Sequence, residues 1–406
     1  MLQIADPRLD APPRLVGETA ESLPAETIAA QKVVPRGTWR ANCRLAQKKQ
    51  VSAVVVSGEV LRDSDSPAGN AEFRNGLAEI VRAGVPVVIL PSAGQTLSRL
   101  PAGVEVLEPA IEDGETVELA DGRRIDFVPV DERGRITGSG SGSAAVTVGV
   151  WFADRRERRV PDSLASGRGD CDFVVPVGAF ERTTIEPGGS EGATVHHPGP
   201  AFPGEAEHFG PAGVSLVRIG RGGRVDIEAV ATSPLRREVL RLHSRPGADV
   251  LSEARREAAR VADAVSRAGE LELLVCEWRV TGFGAEHDRL RSESGRRELT
   301  AIADRELAGA ASVAVRHRLR FRPDEDMLGD AADENPLLRE YLFAVDRQFS
   351  GRRATAAERP EDLDEATWQD LLGELDPLEV AAVAREAGAE WFAAAGDYDG
   401  SNDFER

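Results

Sequence analysis

Apolar residues enter the first ninety positions in dense runs separated by polar, helix-spaced stretches. Leu2, Ile4 and Ala5 predict an opening strand, and a helical stretch follows to about Gln50. Residues 52–57, with three consecutive valines, read as a buried strand ending at Gly58. From 72 to 83 the period becomes helical, with Phe73, Leu77, Ile80 and Val81 on one face, and 85–90 is the next strand. Strand, helix, strand, helix, strand predicts an open sheet with helices on its faces. Ligands of such sheets gather at the carboxyl ends of the strands.

Farther along, strands and turns dominate. A hairpin is expected over 116–128 around Asp121 and Gly122, followed by a Gly/Ser loop over 138–143. That loop is not a phosphate-binding loop, because Gly-Lys-Ser/Thr occurs nowhere and the only lysines are Lys32, Lys48 and Lys49. Strands are expected at 145–151, 173–177, 214–219 and 225–232. From about Leu235 a smaller α+β unit begins: a helix over 249–268, a strand over 271–280, a helix over 286–307 and an arginine-rich strand. In that last strand a two-residue period puts Arg316, Arg318, Arg320 and Arg322 on one face and Val315, Leu319 and Phe321 on the other. Such a face is either a phosphate-contacting ridge or a solvated surface whose arginines pair with carboxylates.

Charge sharpens the division. The 406 residues carry a formal net charge of -19, yet residues 324–406 hold 23 acidic and 7 basic residues, a net of -16. The body is therefore close to neutral, and the overall acidity does not exclude nucleic acid from it. The acidic segment has helical marks: Asn335-Pro336 caps a stripe of Leu337, Leu338, Tyr341, Leu342, Val345 and Phe349. A second capping pattern at Asp376-Pro377-Leu378-Glu379 opens a stretch toward Trp391 and Phe392. Domains are thus expected at 1–234, 235–323 and 324–406. No apolar run approaches the roughly 18 residues of a membrane span, and no basic-then-apolar leader opens the chain. The three distant cysteines, Cys43, Cys171 and Cys276, fit reduced thiols, so a cytoplasmic location without membrane partners is expected.

Several motifs carry a resemblance. Ile4-Ala5-Asp6-Pro7-Arg8-Leu9-Asp10, Val55-Val56-Ser57-Gly58-Glu59 and Val88-Ile89-Leu90-Pro91 resemble the opening motifs of calcineurin-like metallophosphoesterases, specifically the SbcD-like branch of DNA double-strand-break repair exonucleases. His197-Pro198-Gly199, Gly210-Pro211-Ala212-Gly213 and, in the small unit, Glu277-Trp278-Arg279-Val280-Thr281-Gly282 continue the likeness over roughly residues 1–323. The resemblance implies an α/β fold built as a layered sheet sandwich with flanking helices, joined to a small α+β capping domain and here to a helical acidic C-terminal tail. It also implies a homodimer that works with an SbcC-like coiled-coil ATPase at DNA ends.

Enzymes of that branch hold two divalent metals, usually manganese, which activate a water and neutralise phosphoryl oxygens. Here the ligand pattern is degenerate. Asp6 survives, but the first motif's His is Arg8; the second motif's Asp is Glu59. The third motif's Asn and His fall on Ala93 and Gly94, the fourth's His on Phe152, and the fifth's two on Ala179 and Glu181. All six histidines lie at or beyond position 196. Asp6 and Glu59 alone do not hold a dinuclear centre, and Arg8 is placed to turn a metal site into an ion pair. A replacement site could draw on His196, His197, Glu205, Glu207 and His208, although neighbouring histidines on a strand face opposite ways.

The expectation is therefore a catalytically inactive homologue, without cofactor, acting as a scaffold or regulatory subunit. Arg316 to Arg322, or the run Arg155, Arg156, Arg158 and Arg159, would meet DNA phosphates. Two alternatives stand beside it. One is a protein-interaction module that binds no DNA; the other is an active phosphodiesterase with two manganese ions in a rearranged site.

Overall fold

The computed structural model describes residues 1–13, 25–63, 66–97, 99–109, 114–119, 121–138, 144–153, 157, 159–166, 171–187, 192–204, 208–220, 224–244, 248–266, 271–282, 285–308, 314–323, 336–349 and 384–385. The architecture is mixed α/β, with mixed parallel and antiparallel sheets flanked by helices. The chain divides into two compact units. The first comprises Met1–Glu238, Asp263–Cys276 and Ala310–Arg316; the second comprises Val239–Ala262, Glu277–Gly309 and His317–Arg406.

The first unit opens with strand β1 (Leu2–Ala5), helix α1 (Ala25–Lys48), β2 (Val54–Gly58), α2 (Pro67–Arg82), β3 (Val87–Pro91) and β4 (Val104–Val106). These four strands pair in parallel. Beyond β1, β11 (Gly213–Ile219) and β12 (Val225–Ala231) complete a six-stranded sheet as antiparallel members. A second six-stranded sheet repeats the plan: β6 (Arg124–Pro129), β7 (Val146–Phe152), β8 (Phe173–Val177) and β10 (Thr194–His197) run parallel, between antiparallel β5 (Glu115–Glu118) and β9 (Thr183–Ile185).

The alternation of strand side chains assigns each residue to a layer. Leu2, Ile4, Val54, Val56, Val87 and Ile89 face the helices, where they meet Trp39, Cys43, Phe73, Leu77 and Ile80. The intervening Val55, Val88 and Leu90 pack with Phe127, Val148, Val150, Phe173 and Val175 of the second sheet. Both faces of β1 to β3 are buried, which is why their sequences are apolar runs rather than alternating patterns. Polar residues also cross the sandwich. The Gln3 amide donates to the carbonyl of His196 (3.1 Å), whose ring nitrogens meet the Thr184 and Ser215 hydroxyls at 2.8 Å each.

A short 3-10 helix spans Asp162–Ser166, and the later elements are β13 (Leu235–Ser244), α3 (Val250–Ser266), β14 (Leu273–Gly282), α4 (Ala285–Arg291), α5 (Glu293–Leu307), β15 (Ala314–Pro323) and α6 (Pro336–Phe349). The three strands form a sheet in the order β13-β14-β15. Within the second unit, the indole N–H of Trp278 donates to His317 Nδ1 (3.1 Å), and the opposite ring nitrogen meets Asp304 at 3.0 Å.

Three sequence expectations change here. The helix expected over 286–307 is two helices, because the Ser292 hydroxyl accepts the Gly295 N–H (3.1 Å) and caps α5 afresh. Strand β13 was not expected, since Arg236, Arg237 and Glu238 in its first half break the apolar pattern; all three are buried, and Arg236 pairs with Glu238. Helix α6 forms as expected with Leu338 and Val345 buried, but Leu337 is 70% exposed, so the stripe is narrower than its spacing suggested. Residues 139–143 of the Gly/Ser loop and the capping pattern at Asp376 lie outside the described residues. Among the described residues, no helix is long and apolar enough to cross a membrane.

Helix α2 rests on α1 through Gly76, where an added Cβ would stand 2.2 Å from Trp39 Nε1 and 2.8 Å from Cys43 Sγ. Trp39 also packs against Phe73, with ring centroids 5.1 Å apart. Gly76→Ala should therefore destabilise the fold by about 1–3 kcal/mol through overpacking, despite alanine's better helix propensity. Chemical denaturation with tryptophan fluorescence measures this; an unchanged or raised midpoint contradicts the packing described.

Candidate functional site

Parallel strands end at a common edge, so the segments following β1, β2 and β3 meet there. Asp6 follows β1 directly, and its N–H donates to the Ser57 carbonyl (2.9 Å). The Glu59 N–H donates to Asp6 Oδ1 at 2.7 Å. Arg8 N–H then donates to the Glu59 carbonyl (3.1 Å), and Arg8 Nε stands 2.8 Å from Glu59 Oε2. Gln95, beyond β3, clasps the same loop: its Oε1 accepts the Val60 N–H (3.0 Å) and its Nε2 donates to the Leu61 carbonyl (2.7 Å). Asp10 adds a further clasp by accepting the N–H groups of Arg62 and Asp63 at 2.8 Å each.

The backbone is strained at this edge. Asp6 and Arg8 hold φ of 45° and 37°, in the left-handed region that disfavours residues with a Cβ. Gly58 sits at φ 83°, and a Cβ on it would lie 2.3 Å from Asp6 Oδ1. Glycine is thus required for the carboxylate to approach the β2 turn. Positive-φ residues without glycine's freedom cost on the order of 1–3 kcal/mol each and concentrate where a side chain must be aimed.

Electrostatics follow from burial. Asp6 is 3% exposed, and desolvation pushes its carboxyl up to about 6, against the pull of Arg8 and the Glu59 N–H. Glu59 adds to the rise as a like charge. The Arg8 guanidinium is therefore the cation that lets two carboxylates share this edge. The Ala201 N–H reaches the Ala5 carbonyl (2.9 Å), tying the segment after β10 to the end of β1.

The other positions named from sequence supply no comparable chemistry. Ala93 and Gly94 are exposed on the β3 turn, and Phe152 packs into the apolar interior between the sheets. Ala179 and Glu181 are exposed after β8. His197 is buried with Nδ1 accepting the Gly199 N–H (3.1 Å) and its ring edge-on to Phe180, centroids 5.4 Å apart. Desolvation lowers His197 to about 3 and His196 to about 4, so both rings are neutral. His196 faces Ser215 while His197 faces Phe180, as neighbours on a strand must. Glu205 and Glu207 lie outside the described residues, and among those described no three His, Cys, Asp or Glu side chains gather as a metal site. The donor set does not fit two divalent metals: one carboxylate is buried and bonded to backbone, and the other is paired with a guanidinium.

The arginine face is partly neutralised. In the second unit, the buried Glu277 carboxylate has Arg279 at 2.9 Å, Arg318 at 3.7 Å and Arg320 at 3.6 Å. Arg316 directs Nη1 to the Val315 carbonyl (3.1 Å), and Arg322 occupies the next position of the same register. Arg155, Arg156 and Arg158 lie outside the described residues; Arg159 is exposed. Sequence reasoning did not single out Gln95 or Asp10 as the clasps of this edge, nor His196 as the polar link between sheets. Their only signal was a polar residue beside an apolar run.

No known family model and no curated protein matches the chain.

Three buried groups set opposing pH dependences. The neutral form of Asp6 is favoured in the fold, so its contribution to stability is lost as pH rises from about 4 through about 6. His196 and His197 oppose this, because their contribution is lost as pH falls from about 6.5 toward 4 and 3. Asp6→Asn keeps an acceptor for the Glu59 N–H and removes the first effect. Relative to wild type it should therefore gain on the order of 2–3 kcal/mol between pH 4 and pH 7. Urea denaturation across that range tests this; a difference independent of pH contradicts a buried, raised carboxyl.

Proposed function

We propose that the chain is a catalytically inactive relative of the calcineurin-like metallophosphoesterases, of the SbcD-like branch, serving as a scaffold or regulatory subunit with a coiled-coil ATPase at DNA ends. The observation that carries this reading is the Arg8–Glu59 ion pair beside buried Asp6, at the edge where three parallel strands end. A guanidinium there supplies the positive charge that two carboxylates otherwise demand of a metal. It offers fixed donors instead of an open coordination position, so it neutralises without activating water.

The backbone strain at Asp6, Arg8 and Gly58 supports an inherited site rather than an ordinary turn, since a surface ion pair needs no left-handed residues. Two facing sheets with helices outside one of them support the reading of a layered sandwich. In this reading Arg318 and Arg320 meet phosphates. Both lie within 4 Å of the buried Glu277 carboxylate, which holds them on one face of β15.

The reading is tested by loading the full chain with manganese, exchanging the buffer and measuring metal by elemental analysis, then titrating a blunt DNA duplex at several salt concentrations without metal. Metal should fall below about one tenth of an ion per chain, while duplex binding weakens with salt. Replacing Arg318 and Arg320 together by Gln should reduce the salt slope by about 2. Stoichiometric manganese overturns the inactive reading, and absence of salt-dependent binding overturns the DNA role.

A further inference from the structure

A cavity of about 410 Å³ opens past the carboxyl ends of β8 and β10, within the first unit. Its size is that of sites for small organic ligands. Pro198, Pro200, Pro203 and Phe209 give it apolar walls, and the Glu181 carboxylate and His208 imidazole line it as well. Gly210, at φ 83°, leaves open space where a side chain would stand.

Arg182 is the cation of this cavity. Its Nε donates to the Pro198 carbonyl at 2.8 Å, which orients the guanidinium and leaves both Nη groups for other acceptors. Among the described residues no carboxylate lies within ion-pair distance of it. Its placement is built rather than incidental. Gly199 turns at φ 73° against the Arg182 backbone, where a Cβ would come within 2.9 Å of the Arg182 nitrogen, and the Gly199 N–H is fixed by His197. Partial burial lowers the Arg182 pKa, and the two buried histidines sense its charge, so an anion here would relieve a cost the fold carries without it.

We propose that this cavity binds a small organic oxyanion, a phosphomonoester or carboxylate carried on an apolar ring, with Arg182 clasping the oxyanion and Pro203 and Phe209 flanking the ring. Guanidinium geometry suits either anion through two parallel N–H bonds. The site does not depend on the family reading, because none of its argument uses Asp6, Arg8 or Glu59.

Isothermal titration of the full chain with phenyl phosphate, benzoate and inorganic phosphate tests it. Saturable binding of phenyl phosphate or benzoate, tighter than inorganic phosphate by about tenfold, is expected, and the tighter of the two identifies the anion. Arg182→Gln should weaken binding by about tenfold or more, as loss of a charge-assisted pair does, whereas Arg224→Gln should not. No saturable binding, or equal binding in the Arg182 variant, overturns the proposal; inorganic phosphate binding as tightly as phenyl phosphate overturns the role of the ring. A second measurement needs no variant: phenylglyoxal labelling of Arg182 in the wild-type chain, read by peptide mass spectrometry, should be suppressed by the saturating ligand. Equal labelling with and without it also overturns the proposal.

Discussion

The guanidinium of Arg8 is the constraint on which the candidate site rests. It stands 2.8 Å from Glu59 and contributes the main attraction felt by the buried Asp6 carboxyl. Without a cation, two carboxylates at one strand edge would repel, and the inner one would be protonated or would expel its neighbour. With it, the Asp6 carboxylate can accept the Glu59 N–H, and that bond draws the β2 turn onto the end of β1. The left-handed backbone at Asp6 and Arg8 is the cost of aiming both side chains inward.

The rest of the first unit makes such a cost bearable. β1, β2 and β3 are buried on both faces, against helices on one side and the second sheet on the other, and burial of this kind is the main source of stability. The sandwich is also fixed in register by polar atoms. His196 holds Thr184 of β9 and Ser215 of β11, while Gln3 of β1 holds the His196 carbonyl. A buried network satisfied in this way specifies one alignment of the sheets, since slippage would leave the imidazole and two hydroxyls without partners. The edge carrying Asp6 is therefore placed by the same register that packs the core.

Much of this was legible from the amino-acid sequence, for identifiable reasons. The valine runs at β2 and β3 and the helical spacing of Phe73, Leu77 and Ile80 leave few alternatives, and the elements form there. The Asp6, Arg8 and Glu59 relationship was anticipated because the resemblance matched these positions to two metal-ligand motifs. What escaped was encoded in pairing rather than pattern. β13 carries Arg236, Arg237 and Glu238 in its first half, and the Arg236–Glu238 contact at 9–11% side-chain exposure, with the Arg236 bond to the Ala264 carbonyl (3.0 Å), helps make that stretch compatible with a buried strand. Likewise, Arg182 looks like any surface arginine in sequence; its partial burial against the Pro198 carbonyl is a property of three-dimensional placement alone.

The claim that the Arg8 guanidinium balances Asp6 and Glu59 is tested most directly at the Asp6 carboxyl itself. Its titration by carbon NMR should give a pKa near 6 in the wild-type chain and a higher value in Arg8→Met, which keeps the volume and removes the charge. An Asp6 pKa near the ordinary carboxylate value in both proteins would contradict the account.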